Sequence, residues 1–351
     1  MNVNLICIYF YISPMPEVSE ASGIMDKRRF FMLINLKQTA SLLSKCRNAY
    51  ILTHQSPDGD TISSAYGLYH ILRRLGKRSK VLCSDEIPSR YSFLKEKYTD
   101  EDFEPEYIIS VDVADRQLLG SLDELYGDRV NLCIDHHISN TGYAENVYLC
   151  AGAAANCENI YRISMELFGD CDDDTAECIY TGIVTDSGCF RYSCTNADTH
   201  RIASELMQNN KINYAWITRQ MIEIKSKGRI ELEYEIFKRA EYFLDDTCAV
   251  ICVTLDLMNE LGVKSQELEG IAGIMLQVEG VKAAVTMKEK EGGFFKISMR
   301  SPNDVNVSEI CKTFGGGGHV NAAGCKIYGS AEDVKNQLVE AVQKYLEDKN
   351  S

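Results

Sequence analysis

The chain has 351 residues, of which 45% are apolar and 25% are charged, and its formal net charge at pH 7 is −14. This length and composition are typical of a globular protein with two domains. The negative charge argues against non-specific binding of long nucleic acid, because such binding depends on many Lys and Arg side chains that neutralise phosphates. A short oligonucleotide held by metal ions and a few basic groups is not excluded.

Residues 1–24 stand apart from the rest of the chain. The apolar run from Val3 to Ile12 is too short for a membrane-spanning helix, which needs about 20 residues. No Lys or Arg precedes it, so the basic region of a signal peptide is missing. We interpret residues 1–24 as a disordered extension, with Met25 as an alternative start, and expect a cytoplasmic protein without membrane contacts.

The 14 cysteines make up about 4% of the chain, which is below the density of disulfide scaffolds. The sequence contains no Cys-x-x-Cys pair. We therefore interpret the cysteines as reduced thiols in a cytosolic protein, with no catalytic role.

The first predicted domain, residues 25–223, alternates short apolar runs with helical patterns. This alternation predicts an α/β fold with a mostly parallel, doubly wound sheet. Predicted strands are 49–53, 80–84, 107–111 and 130–134. Predicted helices are 37–46, 63–75, 115–126, 153–168, 175–184, 196–209 and 213–222.

A charged segment, residues 224–244, is predicted to begin as a connector and to become a helix. A smaller α/β domain, residues 245–351, follows it, and the cleft between the two domains is the expected active site. Its predicted strands are 248–255, 281–287, 294–299 and 324–328. Its predicted helices are 265–277, 306–314 and 331–347.

Residues that can bind metal ions follow the first predicted strand, in the segment His54-Gln55-Ser56-Pro57-Asp58-Gly59-Asp60. Ligands of open α/β sheets bind at the carboxyl ends of strands. Carboxylates and an imidazole together suit Mn²⁺, Mg²⁺ or Fe²⁺ better than a metal that prefers thiolates. An Asp-Gly-Asp sequence on its own is more often a simple turn.

Three further clusters place an acid or a histidine where an apolar segment ends. Each cluster also has a purely structural interpretation, as a helix cap, a surface histidine or a turn. Their joint occurrence favours a metal site, because a charged group at a strand end reaches a cleft without being buried alone. The clusters are Val111-Asp112-Val113-Ala114-Asp115, Asp135-His136-His137 and Thr185-Asp186-Ser187-Gly188.

These four motifs resemble those of the DHH phosphoesterase family. The family is named for an Asp-His-His motif, which is found here at residues 135–137. The run GGGGHVNAAG at 315–324 is similar to the signature of the DHH-associated C-terminal domain. The resemblance covers about residues 36–345. Length and motif order are most similar to bacterial nanoRNase/pAp phosphatases, which degrade very short RNAs and dephosphorylate 3′-phosphoadenosine 5′-phosphate (pAp).

The resemblance implies a ligand set for two divalent ions, with Mn²⁺ expected and Mg²⁺ or Fe²⁺ as alternatives. One ion would be held by His54, Asp58 and Asp112. The other would be held by Asp60, Asp112, His136 and Asp186, so that Asp112 bridges the two. Catalytic or orienting roles fall to Asp135 and His137.

Substrate-binding residues are expected in the second domain. Four consecutive glycines can be a flexible linker, but here a histidine and small residues follow them, which lets the backbone approach a phosphate closely. Arg300, at the end of a predicted strand, resembles the family's phosphate-binding arginine; its alternative is a surface ion pair. The expected substrate-binding residues are Arg300, Gly315, Gly316, Gly317, Gly318 and His319.

We therefore expect a two-metal phosphoesterase that hydrolyses very short oligoribonucleotides, including pApA-type dinucleotides, to nucleoside 5′-monophosphates, and pAp to AMP. The alternatives are a single-strand DNA exonuclease of the RecJ type, disfavoured by the acidic charge, and a cyclic dinucleotide phosphodiesterase. An inorganic pyrophosphatase is disfavoured by the GGGGH run, and a ligand sensor by the complete set of metal positions. Long duplex nucleic acid is not an expected partner, and a homodimer is left open.

Overall fold

The structure is a computed structural model that describes residues 31–263, 268, 270–302 and 305–350. The interpretation of residues 1–24 as a disordered extension concerns residues outside these ranges. Part of the predicted helix 265–277 also lies outside them.

The first sheet has six strands, all of them parallel, in the order β1-β6-β5-β4-β2-β3. Strand β3 lies on one side of β2. Strands β4, β5 and β6 follow one another on the other side of β2, and β1 lies at the far edge next to β6. The order of the chain therefore reverses between β2 and β4. The strands are β1 (Met32–Leu33), β2 (Ala49–Leu52), β3 (Ser79–Leu82), β4 (Tyr107–Val111), β5 (Leu132–Asp135) and β6 (Asn146–Leu149).

Both faces of this sheet are buried. Alternate residues of a strand pack into two different hydrophobic clusters, one on each face. In β2, Ile51 packs with the helices α2, α4 and α5, whereas Leu52 packs on the opposite face with Leu119 and Leu122. This arrangement confirms the predicted doubly wound α/β fold. The helices are α1 (Leu36–Lys45), α2 (Gly59–Arg74), α3 (Leu122–Tyr126), α4 (Asn156–Phe168), α5 (Asp173–Asp186), α6 (Ala197–Asn209) and α7 (Tyr214–Thr218).

The second sheet has the order β11-β12-β10-β9-β8-β7, and only β8 and β9 are parallel neighbours. Helices α10 and α11 pack on one face, and α8, α9 and the 3₁₀ helix Ile271–Gln277 pack on the other. The strands are β7 (Glu241–Phe243), β8 (Cys248–Val253), β9 (Ala283–Lys290), β10 (Phe294–Arg300), β11 (Gly317–His319) and β12 (Ala322–Tyr328). The helices are α8 (Lys227–Arg239), α9 (Leu255–Glu260), α10 (Val307–Lys312) and α11 (Ala331–Asn350).

Several short elements were not expected from the sequence: β1, β6, β7, β11 and α9. Each is too short to show a clear hydrophobic period. The predicted helix 115–126 is divided into a 3₁₀ turn and α3 at Gly120, whose φ is +59°. Within the segment 224–244, α8 buries Leu232 and Ile236 against the second sheet, and β7 follows it. The domain limits 25–223, 224–244 and 245–351 stay a proposal.

Across the described ranges, no helix combines the length and the apolar character that crossing a membrane would require.

Candidate metal centre

The site lies at the carboxyl ends of β2, β4 and β5, three adjacent strands at the centre of the first sheet. Open α/β sheets form a crevice there, because the connections diverge where the strand order reverses. Six acidic and histidine side chains from the four motifs meet in this crevice. Two of their three-residue groupings are His54 with Asp58 and Asp112, and Asp60 with His136 and Asp186.

Asp112 lies between these two groupings. It follows β4 directly and is 3% exposed. Its Oδ2 is 3.8 Å from His54 Nε2, and its Oδ1 is 3.4 Å from His136 Nε2. The two oxygens of one carboxylate therefore face two different imidazoles, as a ligand shared by two ions would.

His54 and Asp58 form the outer part of the cluster. His54 Nδ1 is 2.8 Å from the carbonyl oxygen of Gln55, which leaves Nε2 free to face Asp58 Oδ1 at 3.6 Å. Asp58 is the N-cap of α2, and its Oδ1 accepts hydrogen bonds from the amides of Asp60 and Thr61. The cap fixes the Asp58 carboxylate at the start of the helix.

Asp60 is held at the N-terminus of another helix. It is 1% exposed, and its carboxylate accepts hydrogen bonds from the amides of Asn156 and Cys157 in the first turn of α4, at 2.5 and 3.0 Å. Free amides at a helix start stabilise a negative charge. The first turn of α4 thus keeps Asp60 oriented, and its Oδ2 is 3.8 Å from His136 Nε2.

His136 occupies the centre of the inner grouping. Its Nδ1 is 3.0 Å from the carbonyl oxygen of Ala153, so Nδ1 donates and Nε2 is the free ring nitrogen. Nε2 lies 3.5 Å from Asp186 Oδ2. A histidine that binds metal commonly has its second ring nitrogen fixed in this way.

Asp186 is the last residue of α5, and the close crossing of α5 with α2 sets its position. A Cβ on Gly59 of α2 would lie 2.3 Å from Thr185 Oγ1 of α5, and one on Gly182 of α5 would lie 2.8 Å from Asp60 Oδ1 of α2 and 2.2 Å from Cys157 Sγ of α4. Only glycine permits this approach at both positions. The crossing brings the end of α5 to the start of α2, where Asp58 and Asp60 lie.

The charges of the cluster fit divalent cations. Burial, and then the charge of Asp60, raise the pKa of Asp112 to about 7. Burial also raises the pKa of Asp60 and of Asp186. Burial lowers the pKa of His54 and His136, but neighbouring carboxylates outweigh it and the resulting pKa values are about 9 and about 11.

Asp112 Oδ1 is also buried and accepts no hydrogen bond from any residue within the described ranges. A buried carboxylate oxygen requires a partner, and a cation is the partner that the donor set around it suits. The cluster contains four carboxylates, which two divalent ions would neutralise. The residues present therefore fit a pair of such ions.

Asp135 and His137 form a separate pair beside the cluster. His137 Nδ1 is 2.8 Å from Asp135 Oδ1, and Asn140 Nδ2 donates to Asp135 Oδ2 at 2.6 Å. His137 Nδ1 also lies 3.6 Å from Asp112 Oδ1, which creates a third grouping of Asp112 with both histidines. The shorter contact to Asp135 occupies this nitrogen, so the geometry favours an orienting role for Asp135 over a ligand role for His137.

The expected substrate-binding residues all lie on the second sheet or next to it. Arg300 is the last residue of β10, and its Nη1 donates to the carbonyl oxygen of Met299 at 2.9 Å. Burial lowers the pKa of Arg300, and the side chain of Tyr192 is near enough to act in the opposite direction.

The glycine run is an ordered hairpin for part of its length. Gly317–His319 form β11, which pairs with β12, and Ser308 Oγ donates to the carbonyl oxygen of Gly318 at 2.7 Å. A Cβ on Gly316 would lie 2.2 Å from the carbonyl oxygen of Gly324, whereas one on Gly317 would meet nothing within 4 Å. Packing accounts for Gly316, and Gly317 leaves its backbone accessible.

Comparison with known families gives two matches that together span both sheets. The description "DHH family, N-terminal domain" matches residues 48–183, and "DHHA1 domain" matches residues 246–348. The chain combines a DHH domain with a DHHA1 domain. This confirms the resemblance drawn from the motifs.

The chain is similar to known proteins over most of its own length. The bifunctional oligoribonuclease and PAP phosphatase NrnA of Thermus thermophilus is 28% identical over 301 residues, covering 85% of this chain and 90% of that protein. An exopolyphosphatase-related protein from Bacteroides fragilis has the same fold, with a TM-score of 0.80 and 24% identity, covering 88% of this chain and 96% of that one. RecJ from Thermus thermophilus, solved with Mn²⁺, has a TM-score of 0.55 and 13% identity, covering 88% of this chain and 55% of that one.

Sequence reasoning missed the residues of the DHH domain that support the cluster. Asn159 Nδ2 donates to the backbone carbonyl oxygen of Asp135 and to Asn156 Oδ1. Asn140 Nδ2 donates to the Asp135 carboxylate. Ala153 provides the carbonyl that orients His136. The available signal was the run of small residues Ala153–Ala155 before a polar helix start, which is where a helix N-terminus can approach an anion.

Proposed function

We propose that this protein is a metal-dependent phosphoesterase that hydrolyses very short oligoribonucleotides to nucleoside 5′-monophosphates and pAp to AMP. The observation that carries the proposal is Asp112, whose two oxygens face the imidazoles of His54 and His136 in two adjoining ligand groupings. The activities in the name of the relative from Thermus thermophilus support the substrate class.

The residues proposed to hold the ions are His54, Asp58 and Asp112 on one side and Asp60, Asp112, His136 and Asp186 on the other. Carboxylate and imidazole ligands suit Mn²⁺, with Mg²⁺ or Fe²⁺ as alternatives, and the RecJ structure from Thermus thermophilus is a complex with Mn²⁺. When bound, two such ions would supply Lewis-acid activation of water and neutralise charge on the phosphoryl oxygens.

His137 is proposed to deliver a proton to the leaving oxygen. Burial lowers its pKa, but the hydrogen bond to Asp135 and the charge of Asp112 outweigh this, and the net pKa is raised. Asp135 binds Nδ1, so the proton available to substrate is on Nε2, and the side chain is 39% exposed toward solvent. Asp135 acts as a positioning residue that keeps the ring in this orientation.

The DHHA1 domain is proposed to bind the substrate phosphate. The fork of the Arg300 guanidinium suits two phosphate oxygens, and the exposed His319 with the accessible backbone of Gly317 adds donors beside it. The site would lie in the cleft between the two proposed domains.

One assay distinguishes this proposal from its alternatives. Purified protein is tested with Mn²⁺, and after treatment with EDTA, on a dinucleotide RNA, pAp, cyclic di-AMP, a 20-nucleotide DNA and pyrophosphate. We expect hydrolysis of the dinucleotide and of pAp that EDTA abolishes and Mn²⁺ restores. Preferential degradation of the 20-nucleotide DNA would favour the RecJ-type exonuclease, and activity that survives EDTA would refute the metal site.

A further inference from the structure

A row of three lysines crosses the second sheet. Lys296 of β10 is directly opposite Lys288 of β9 on one side and Lys326 of β12 on the other. Directly opposed residues of antiparallel neighbours project from the same face of a sheet, with Cβ atoms about 5 Å apart. Like charges so placed repel each other, so the row destabilises the free protein unless an anion lies nearby.

A second row, two residues further along, adds aromatic rings. Lys290 is opposite Phe294, and Phe294 is opposite Tyr328. Lys326 Nζ is 3.9 Å from the centre of the Phe294 ring and 4.7 Å from the centre of the Tyr328 ring. Both distances are within the range of a cation–π interaction. We call the two rows together the lysine–aromatic face.

The charge of this face is not balanced by carboxylates. Within the described part of the chain, its four lysines form no ion pair, although most other basic residues of the second sheet's helices do. Burial and the neighbouring Lys290 and Lys296 lower the pKa of Lys288 to about 8. In a chain with a net charge of −14, a local excess of positive charge marks a surface for an anionic partner.

The lysine–aromatic face continues the surface that carries Arg300. Residues 294, 296, 298 and 300 alternate with the buried residues of β10 and share one side, since the strand pairs without interruption from Phe294 to Arg300. At about 3.3 Å per residue, Lys296 lies ~13 Å and Phe294 ~20 Å along the strand from Arg300. At about 3.4 Å per stacked nucleotide, this distance corresponds to roughly four to six nucleotides.

We propose that the lysine–aromatic face binds the distal nucleotides of a single-stranded oligonucleotide whose end reaches Arg300. The placement of that end rests on the proposed function. Lysine ammonium groups would neutralise the backbone phosphates, and the Tyr328 ring, which is 63% exposed, would stack on a base. Stacking on aromatic rings and contacts to phosphates tolerate any base sequence, so this face would select for chain length and not for sequence.

The test measures binding without turnover. Fluorescently labelled RNAs of two and six nucleotides are titrated in EDTA with wild type, with the Lys296→Ala/Lys326→Ala variant, and with a control pair, Lys344→Ala/Lys349→Ala, on α11 across the sheet. We expect wild type to bind the hexanucleotide about tenfold more tightly than the dinucleotide, and the first variant to lose most of this difference. The slope of log Kd against log salt should fall by about 1.4, or about 0.7 per lost phosphate contact.

Further variants separate charge from shape. Lys296→Arg/Lys326→Arg should keep the hexanucleotide affinity, and Tyr328→Phe should keep more of it than Tyr328→Ala. Hexanucleotide affinity within twofold of wild type in the Lys296→Ala/Lys326→Ala variant would overturn the proposal. An equal loss in the control pair, or equal affinity for a glutamate peptide of the same charge, would overturn it too.

The outcome is independent of whether the enzymatic proposal holds. Binding of the hexanucleotide through Lys296 and Lys326 by a protein that hydrolyses no short RNA would refute the proposed function and support the lysine–aromatic face. Hydrolysis of dinucleotides by a protein that binds the hexanucleotide no more tightly would refute the face alone.

Discussion

Asp112 has a backbone conformation that most side chains avoid. Its φ is +59°, in the left-handed region where Asp and Asn are among the few tolerated residues besides glycine. The turn follows β4 at once, and the Asp112 amide donates to the carbonyl oxygen of Ile134 at 2.9 Å. The strained turn directs the carboxylate out of the sheet and between His54 and His136, which suggests that its position is maintained for function.

Replacing the Asp112 charge tests the shared-ligand assignment. Asp112→Asn keeps the shape and the tolerance for positive φ but removes one ionised oxygen from both groupings. We expect kcat/KM on a dinucleotide RNA to fall at least ~100-fold, or about 2.7 kcal/mol of transition-state stabilisation, with little change in the thermal midpoint. Asp115→Asn, which keeps the cap on the 3₁₀ turn, is the control, and more than about 5% residual activity in Asp112→Asn would contradict the assignment.

Gly317 tests whether substrate approaches the backbone of the glycine run. An added Cβ there meets nothing within 4 Å, so Gly317→Ala should leave the thermal midpoint near that of wild type. If a phosphate lies against this backbone, KM for short RNA should rise about tenfold, because the methyl group occupies the approach. Unchanged KM would show that Gly317 does not contact substrate. Gly316→Ala should instead destabilise the fold, since its Cβ would collide with Gly324.

At the level of elements, three helices position the proposed metal ligands more directly than the strands do. The N-terminus of α2 carries Asp58 and Asp60, the first turn of α4 binds the Asp60 carboxylate, and the C-terminus of α5 carries Asp186. Their close packing depends on glycine at the crossing points. A change in the packing of α5 should therefore alter both stability and metal binding.

Gly182→Ala is the variant that tests this coupling. Its Cβ would lie 2.2 Å from Cys157 Sγ and 2.8 Å from Asp60 Oδ1, and overpacking of this kind costs about 1–3 kcal/mol of unfolding free energy. We expect that loss in urea unfolding, together with weaker Mn²⁺ binding by calorimetry, because Asp60 must move. Gly67→Ala, on the packed face of α2, would place its Cβ 3.1 Å from Ile160 Cγ2 and should stay within about 1 kcal/mol of wild type. Normal Mn²⁺ affinity in a destabilised Gly182→Ala would separate packing from the site.

At the level of the whole molecule, positive charge is local and negative charge is general. The lysine–aromatic face lies at a distance of roughly four to six nucleotides from Arg300, and beyond it the net charge of −14 provides little attraction for further phosphates. Electrostatics should therefore limit the length of the oligonucleotide that the protein binds well.

We expect kcat/KM to be highest for RNAs of about two to five nucleotides and to fall by about tenfold or more for a 20-nucleotide RNA. The measurement is the initial rate on a length series at constant salt, with a single-stranded DNA of 20 nucleotides in parallel. Equal or better efficiency on either 20-nucleotide substrate would contradict the proposed function and favour the exonuclease alternative. Raising the salt should reduce the preference for five nucleotides over two, because the added contacts are to phosphates.

The sequence by itself determined the fold class and, with the family resemblance, predicted the residues of the candidate site. Apolar runs such as Tyr107–Val111 and Leu132–Asp135 stop at charged residues, and in a parallel sheet this local pattern already places the charges at one edge. The motif residues His54, Asp112 and His136 were recognisable because their chemistry depends on residue type and on strand ends, both of which are local in the chain.

Only the tertiary structure decided how these residues are oriented and what supports them. The roles of Ala153 and Asn159 depend on the start of α4 meeting the end of β5, and that of Asn156 depends on α4 meeting the start of α2; these contacts join residues 17 to 96 positions apart, which no local pattern encodes. The lysine–aromatic face likewise depends on strand register, because Lys288, Lys296 and Lys326 are far apart in sequence and become neighbours only when β9, β10 and β12 pair. Periodicity reports which side of one strand is buried, whereas pairing between strands decides which side chains meet.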